Sequence, residues 1–360
     1  MAAEGRQRIE AFDYMKAIAI LLVVRTHFGS HVAELEADPA HSISTHFTAF
    51  VNGSWETSVM IFLMVSGALC WYNHPGVEKK EIPAYYRKRL KALFPSFYIV
   101  WFIGFLENVL AAKQVFYVKP AGRILLSFIG MDGYLSFLGD NYYVAGEWFF
   151  GMIVILYLLY PLTAKVFSFV KLRIPIEIAL IALTYVMYHT DFSPVMPSRS
   201  IVTCLLAFWT GMLVITIYRK LINIPSFVVF LAVSLLLLYF PFNRWEKLTI
   251  YFEDALAVAL FVVVANIVER FPKIPGLSQW ANYTSRISLQ MLLMQHLMVL
   301  KVLSNFAGMT IGRKTEIGLF LLTVFVVYLT SDMLYIVTNE VLKRVSKWNE
   351  SLPSRQERTN

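Results

Sequence analysis

The chain has 360 residues, of which 32 are Lys or Arg and 24 are Asp or Glu, so 16% are charged and 58% are hydrophobic. An ordinary soluble domain carries about 25% charge, and with a mean hydropathy of +0.58 a fold of this size cannot cover a water-facing surface. Disorder is excluded too, because 28 Phe, 19 Tyr and 8 Trp are the reverse of a disordered composition. The chain reads as an all-α, polytopic membrane protein.

Apolar stretches long enough to cross about 30 Å of hydrocarbon lie at 11–28, 54–72, 93–110, 148–162, 174–188, 201–218, 224–240, 248–268, 287–303 and 317–337. After the first, 29–53 reads as an outer loop carrying His31, His41, His46, Glu34, Glu36 and Asp38. Its histidines lack a tight ligand spacing, so no metal site is expected. Between the third and fourth, the apolar run 124–138 is broken by Gly130 and Gly133. It is expected to form a re-entrant or interfacial helix, not an eleventh span.

Charge orients these spans. With both termini cytoplasmic, 20 of the 32 basic residues fall inside, among them Arg87, Lys88, Arg89 and Lys91, and 9 fall outside. The positive-inside rule favours that arrangement over its inverse. The net charge of +8 is then a topology signal, and nucleic acid is not an expected partner. About ten transmembrane helices in one domain, 1–345, with a polar cytoplasmic tail at 346–360, is the expected organisation. No signal-peptide pattern and no internal repeat stand out. Cys70 and Cys204 both lie in apolar runs and read as small core residues.

An ionisable residue inside a membrane is costly and marks function by default. The first span concentrates such residues: Asp13, Lys16, Arg25 and His27. On a helix, Lys16 and His27 share one face about 16 Å apart along the axis, whereas Arg25 points away. At the start of the third span, Arg89 stands ahead of Pro95 in YYRKRLKALFPSFY, where a guanidinium can pair with phosphate at a cytoplasmic mouth. Glu107, Glu147, Glu253, Asp254, Asp332, Gln295 and His296 are further polar groups in or beside spans. They are open both to proton-coupled transport and to hydrogen bonding between helices.

These residues resemble the acyltransferase-three family of integral-membrane acyltransferases, which O-acylate bacterial surface glycans. FDYMKAIAILLVVRTH places Asp13, Lys16 and His27 at the family's first-span spacing. FLMVSGALCWY is similar to the second-helix motif, with Ser66 and Gly67, and YYRKRLKALFPSFY puts Arg89 on the first family arginine. EWFFGMIVILYLLYP carries Trp148, Tyr157 and Pro161, and ISLQMLLMQH carries Ser288 and Gln295. The chain departs from the pattern at Lys16, where the family usually has Arg, at Ala92 in place of a second Arg, and at Ile153 in place of a Glu.

The resemblance implies a multi-pass protein of the bacterial inner membrane. It would move an acyl group, acetyl first among candidates, from cytoplasmic acyl-CoA to a hydroxyl of a cell-surface or lipid-linked glycan. Acyl-CoA is then a co-substrate, and no permanently bound cofactor is expected. Lys16, Arg89 and Lys91 are the expected donor-binding residues. His27 serves either as general base or as acyl-carrying nucleophile. Asp13, Ser66, Trp148, Gln295 and His296 are expected to support the site or line the acceptor cavity, with Tyr142 and Tyr143 as further candidates for stacking on a sugar. A secondary transporter or glycan-lipid flippase is the competing reading.

Overall fold

The structure, a computed structural model, describes residues 7–37, 55–190, 193–239, 247–271, 274–306, 309 and 313–351. Among the described residues, each of the ten apolar stretches falls mainly on a helix. In chain order these are α1 (Ala11–Ala37), α2 (Trp55–Asn73), α3 (Ile82–Ala112), the short α4 (Ile124–Phe128), α5 (Glu147–Ser168) and α6 (Arg173–His189). Then come α7 (Ile201–Thr216), the single turn α8 (Tyr218–Leu221), α9 (Ile224–Tyr239), α10 (Thr249–Arg270), α11 (Leu277–Ser304) and α12 (Arg313–Ser351). No strand occurs among the described residues, as expected where backbone groups must be satisfied within each segment.

Five helices are long and apolar enough to cross a membrane: Lys79–Ala112, Glu147–Ser168, Thr249–Arg270, Leu277–Ser304 and Lys314–Trp348. Outward faces agree with a lipid solvent. On α12, Leu321, Phe325, Leu329, Met333 and Ile336 form an exposed apolar stripe at helical spacing, the arrangement a bilayer accepts and water does not.

Three sequence expectations change. Residues 29–37 continue α1 instead of opening a loop, so His31 sits on the helix that carries His27; His41, His46 and Asp38 lie outside the described residues. The run 124–138 holds only two short pieces, Ile124–Phe128 and Ser136–Leu138, separated where Gly130 takes φ +71°. The last helix runs on to Ser351, into the stretch read as a tail.

Helix α1 is central: it packs on α2, α10 and α11, while α11 also carries α12 and α2 packs against α7. Small residues permit the α2–α7 crossing. A Cβ at Gly67 would lie 1.9 Å from the Phe208 carbonyl oxygen, and one at Gly211 would lie 1.9 Å from the Met64 carbonyl oxygen. The two helices therefore touch backbone to backbone, as small-residue membrane crossings do. Gly67→Ala should cost about 1–3 kcal/mol through overpacking, read as a lowered midpoint of thermal unfolding in detergent; an unchanged midpoint would contradict the crossing.

Several of the sequence-flagged acids join helices. Thr210 on α7 donates to Glu177 at 2.7 Å and lies 3.3 Å from Asp254, tying α6 and α10 together. Tyr283 donates to Asp332, and Lys301 lies 3.5 Å from Glu107. The N-terminus of α1 is fixed by Asp13, which pairs with Arg8 at 2.7 Å and accepts from Ser285 at 2.8 Å.

Candidate functional site

Two polar centres occupy opposite ends of one face of α1. The first surrounds His27. Helix α11 brings Gln295 and His296 to it, and the first turn of α5 brings Glu147. One carboxylate oxygen, Oε1 of Glu147, lies 3.3 Å from His27 Nε2 and 3.0 Å from His296 Nδ1, and accepts from Gln295 Nε2 at 3.3 Å. The His27 and His296 rings meet edge-on with centroids 5.4 Å apart. These groups border a cavity of about 240 Å³ that Trp148 and Arg199 also line.

Local backbone explains how Glu147 reaches the histidines. Gly146 has φ +70° and Glu147 itself φ +52°, left-handed conformations that a residue with a side chain rarely adopts without being held. The broken run before α5 packs against this turn. A Cβ at Gly133 would lie 2.2 Å from the carbonyl of Glu147, so only glycine lets that segment press on the turn. Strain here aims a carboxylate into the cavity.

On the cavity wall, Arg199 stands over the Trp148 ring, 5.4 Å from its centroid. It comes from the short turn Pro197–Arg199 before α7. A cation on an indole face forms a flat wall against which a ring can lie.

The second centre surrounds Arg89. Its guanidinium lies 4.7 Å from the Tyr157 ring centroid and 5.3 Å from that of Tyr85, and donates to Cys70 Sγ at 3.3 Å. Ser66 hydrogen-bonds Tyr157 from the neighbouring turn of α2. Lys16 completes the group, feeling the charges of Asp13, Arg89 and Arg8. Three cations around one carboxylate, which Arg8 already pairs, leave an excess of positive charge suited to an anion.

Most of the residues expected from sequence converge, though not all where expected. His27, Trp148, Gln295 and His296 meet at the cavity, and Lys16 meets Arg89. Ser66 lies with Arg89 through Tyr157, two helical turns along α2 from Ser58, which lines the cavity. Lys91 is exposed: two positions beyond Arg89 it points about 200° away, and it does not join Lys16. Tyr142 is 1% exposed, with its hydroxyl donated to the carbonyl of Ala121 at 3.1 Å, so it braces the loop and cannot stack on a sugar. Tyr143 lies beside Gly104 of α3. Ser288 donates to the Ser285 carbonyl within α11. Asp13 supports α1 at the Lys16 end.

Glu147 as the partner of His27, and Arg199 beside Trp148, were not singled out as site residues from the sequence. An acid directly before Trp148 was visible there, but nothing local indicated a left-handed turn pointing it at α1 and α11.

Fold and site together define a multi-pass membrane protein that holds a histidine–carboxylate centre and a cationic centre at the two ends of one helix. The family model for the acyltransferase domain matches residues 9–336. The chain therefore belongs to the acyltransferase-3 family, whose activity is membrane acyl transfer. No curated protein and no solved structure matches it.

Proposed function

We propose that this protein takes an acyl group, acetyl in the first instance, from cytoplasmic acyl-CoA and places it on a sugar hydroxyl of a cell-surface or lipid-linked glycan at the bacterial inner membrane. One observation carries the reading: His27, paired with Glu147 in a cavity, shares a helix face with Lys16, which lies beside Arg89. The phosphates of acyl-CoA bind Lys16 and Arg89. Its thioester arm then follows α1 over about 16 Å toward His27.

With Nε2 of His27 turned to the Glu147 carboxylate, Nδ1 is the nitrogen left to accept a proton. The acceptor hydroxyl oxygen attacks the thioester carbonyl while that nitrogen takes its proton. Collapse of the intermediate breaks the carbon–sulfur bond, forms the ester, and returns the proton to the departing thiolate. Glu147 orients the ring and stabilises the imidazolium, the role a buried carboxylate plays behind a catalytic histidine. An acyl-histidine route uses the same groups with the ring as nucleophile. Both require His27.

Membranes containing the protein should release free coenzyme A from acetyl-CoA only when a glycan acceptor is supplied, and the acceptor should gain an ester. Glycan-independent absence of release across an acceptor panel, with glycan movement across vesicles instead, would replace this reading with a transporter. Trp148→Ala should raise the acceptor KM about tenfold, as expected on losing about 1.4 kcal/mol, and leave the donor KM unchanged. A change in donor KM alone would move Trp148 out of the acceptor subsite.

A further inference from the structure

Acyl transfer uses one imidazole and one carboxylate. The cavity holds two imidazoles more than that. His31 follows His27 by one turn of α1, about 6 Å along the axis, and is 6% exposed. Its ring meets that of His296 edge-on at 4.8 Å between centroids. One ligand-capable atom from each of His27, His31 and His296 lies within 4.8 Å of the other two. Three nitrogens about a zinc ion sit about 3.4 Å apart, given bonds of about 2.1 Å in a tetrahedron. Each pair of nitrogens must then close by at most about 1.4 Å for a metal to bind all three.

The chemistry of the donor set selects the metal class. Three neutral imidazoles suit Zn²⁺ and its borderline neighbours, and do not suit Mg²⁺ or Ca²⁺, which take oxygen. A carboxylate behind the imidazoles is the usual companion of such ligands, because it fixes ring orientation and raises their basicity. Glu147 stands in that place, 3.0 Å from His296 and 3.3 Å from His27. The i,i+4 pair on one helix face with a third ligand from another helix is a common way to build a three-histidine site.

We infer that His27, His31 and His296 form a binding site for a divalent transition metal of the zinc class, and that the bound metal inhibits transfer by occupying His27. A ring nitrogen that ligates a metal cannot at the same time take a hydroxyl proton. Metal binding stands on the cluster alone; inhibition rests on the proposed role of His27.

Zinc is the probe. The full chain, purified in detergent and stripped by a chelator, should bind one Zn²⁺ per protein in calorimetric titration, checked by atomic absorption after dialysis. Co²⁺ in its place should give visible ligand-field absorption of a low-coordinate nitrogen site. His31→Gln, which keeps side-chain bulk but removes the imidazole, should weaken Zn²⁺ binding about tenfold or more. In the coenzyme A release assay, Zn²⁺ should inhibit the unsubstituted protein and chelator should restore it. His31→Gln should keep its basal rate and lose the zinc sensitivity. His296→Gln, read by binding only, gives a second ligand deletion should the first variant misfold.

Absence of stoichiometric Zn²⁺ binding, or unchanged binding in both variants, overturns the site. Activity that rises with Zn²⁺ overturns the inhibitory role. Intact Zn²⁺ binding in a chain that releases no coenzyme A under any condition overturns the acyl-transfer reading and leaves the metal site standing.

Discussion

Replacing His27 with alanine should abolish acyl transfer while leaving the protein inserted in the membrane at its normal level. Loss of a positioned general base costs about 10²- to 10⁴-fold in rate, and loss of a nucleophile costs at least as much. Helix α1 should survive the change, since alanine favours helix and the helix is held through its packing on α2, α10 and α11. Glu147→Gln tests the pairing. It keeps the shape of the side chain, removes the charge 3.3 Å from His27 Nε2, and should slow transfer about 10- to 100-fold. Residues acting as one unit are not additive, so the double variant should be no slower than His27→Ala alone. Coenzyme A release, normalised to protein in washed membranes, reads all three. Retention of a tenth of the activity by His27→Ala would remove this histidine from the chemistry.

The second large effect concerns the donor. Arg89→Ala should raise the KM for acyl-CoA about 10- to 100-fold, because a charge-assisted hydrogen bond to phosphate contributes about 1.5–3 kcal/mol. The rate at saturating donor should change far less, since Arg89 sits at the far end of α1's face from His27. Arg89 also stacks against Tyr157 and Tyr85, so its removal loosens packing as well. Arg89→Lys separates the two: it keeps the charge but loses the planar stack and fork, and should recover part of the affinity. Lys16→Ala should weaken donor binding, and Lys16→Arg should preserve or improve it. A donor KM unchanged in both alanine variants would show that this cationic pair does not hold the phosphates.

These two results probe centres of different legibility. Lys16 and His27 were readable together because a helix repeats with a fixed period, and nothing beyond α1 is needed to place them on one face. Arg89 was readable as a basic residue at a helix entrance. Its isolation from Lys91 follows from the same period, though the clustered sequence had suggested that both serve one anion. Ser66 was open to either supporting the site or lining the cavity, and its motif could not choose; α2 runs from one centre to the other and Ser66 lies nearer the end that meets Tyr157.

His31 and Glu147 mark where local reasoning ends. A helix was expected to stop near 28, and its continuation to Ala37 turned a loop histidine into the i+4 partner of His27. Glu147 required more. Its left-handed turn at φ +52° meets Gly133, fourteen positions away, at its carbonyl. No pattern within α5 records that contact.

The sequence by itself therefore determined the solvent of this protein, its all-helical build, the lengths of its apolar segments and the placing of Lys16 and His27 on one face of α1. Each follows from composition or from a period that holds over a dozen residues. Only the tertiary structure decided which side chains meet across helices: Glu147 with His27 and His296, Ser66 with Tyr157, Arg199 with Trp148. Those meetings are packing outcomes between helices distant in the chain, which no local period records.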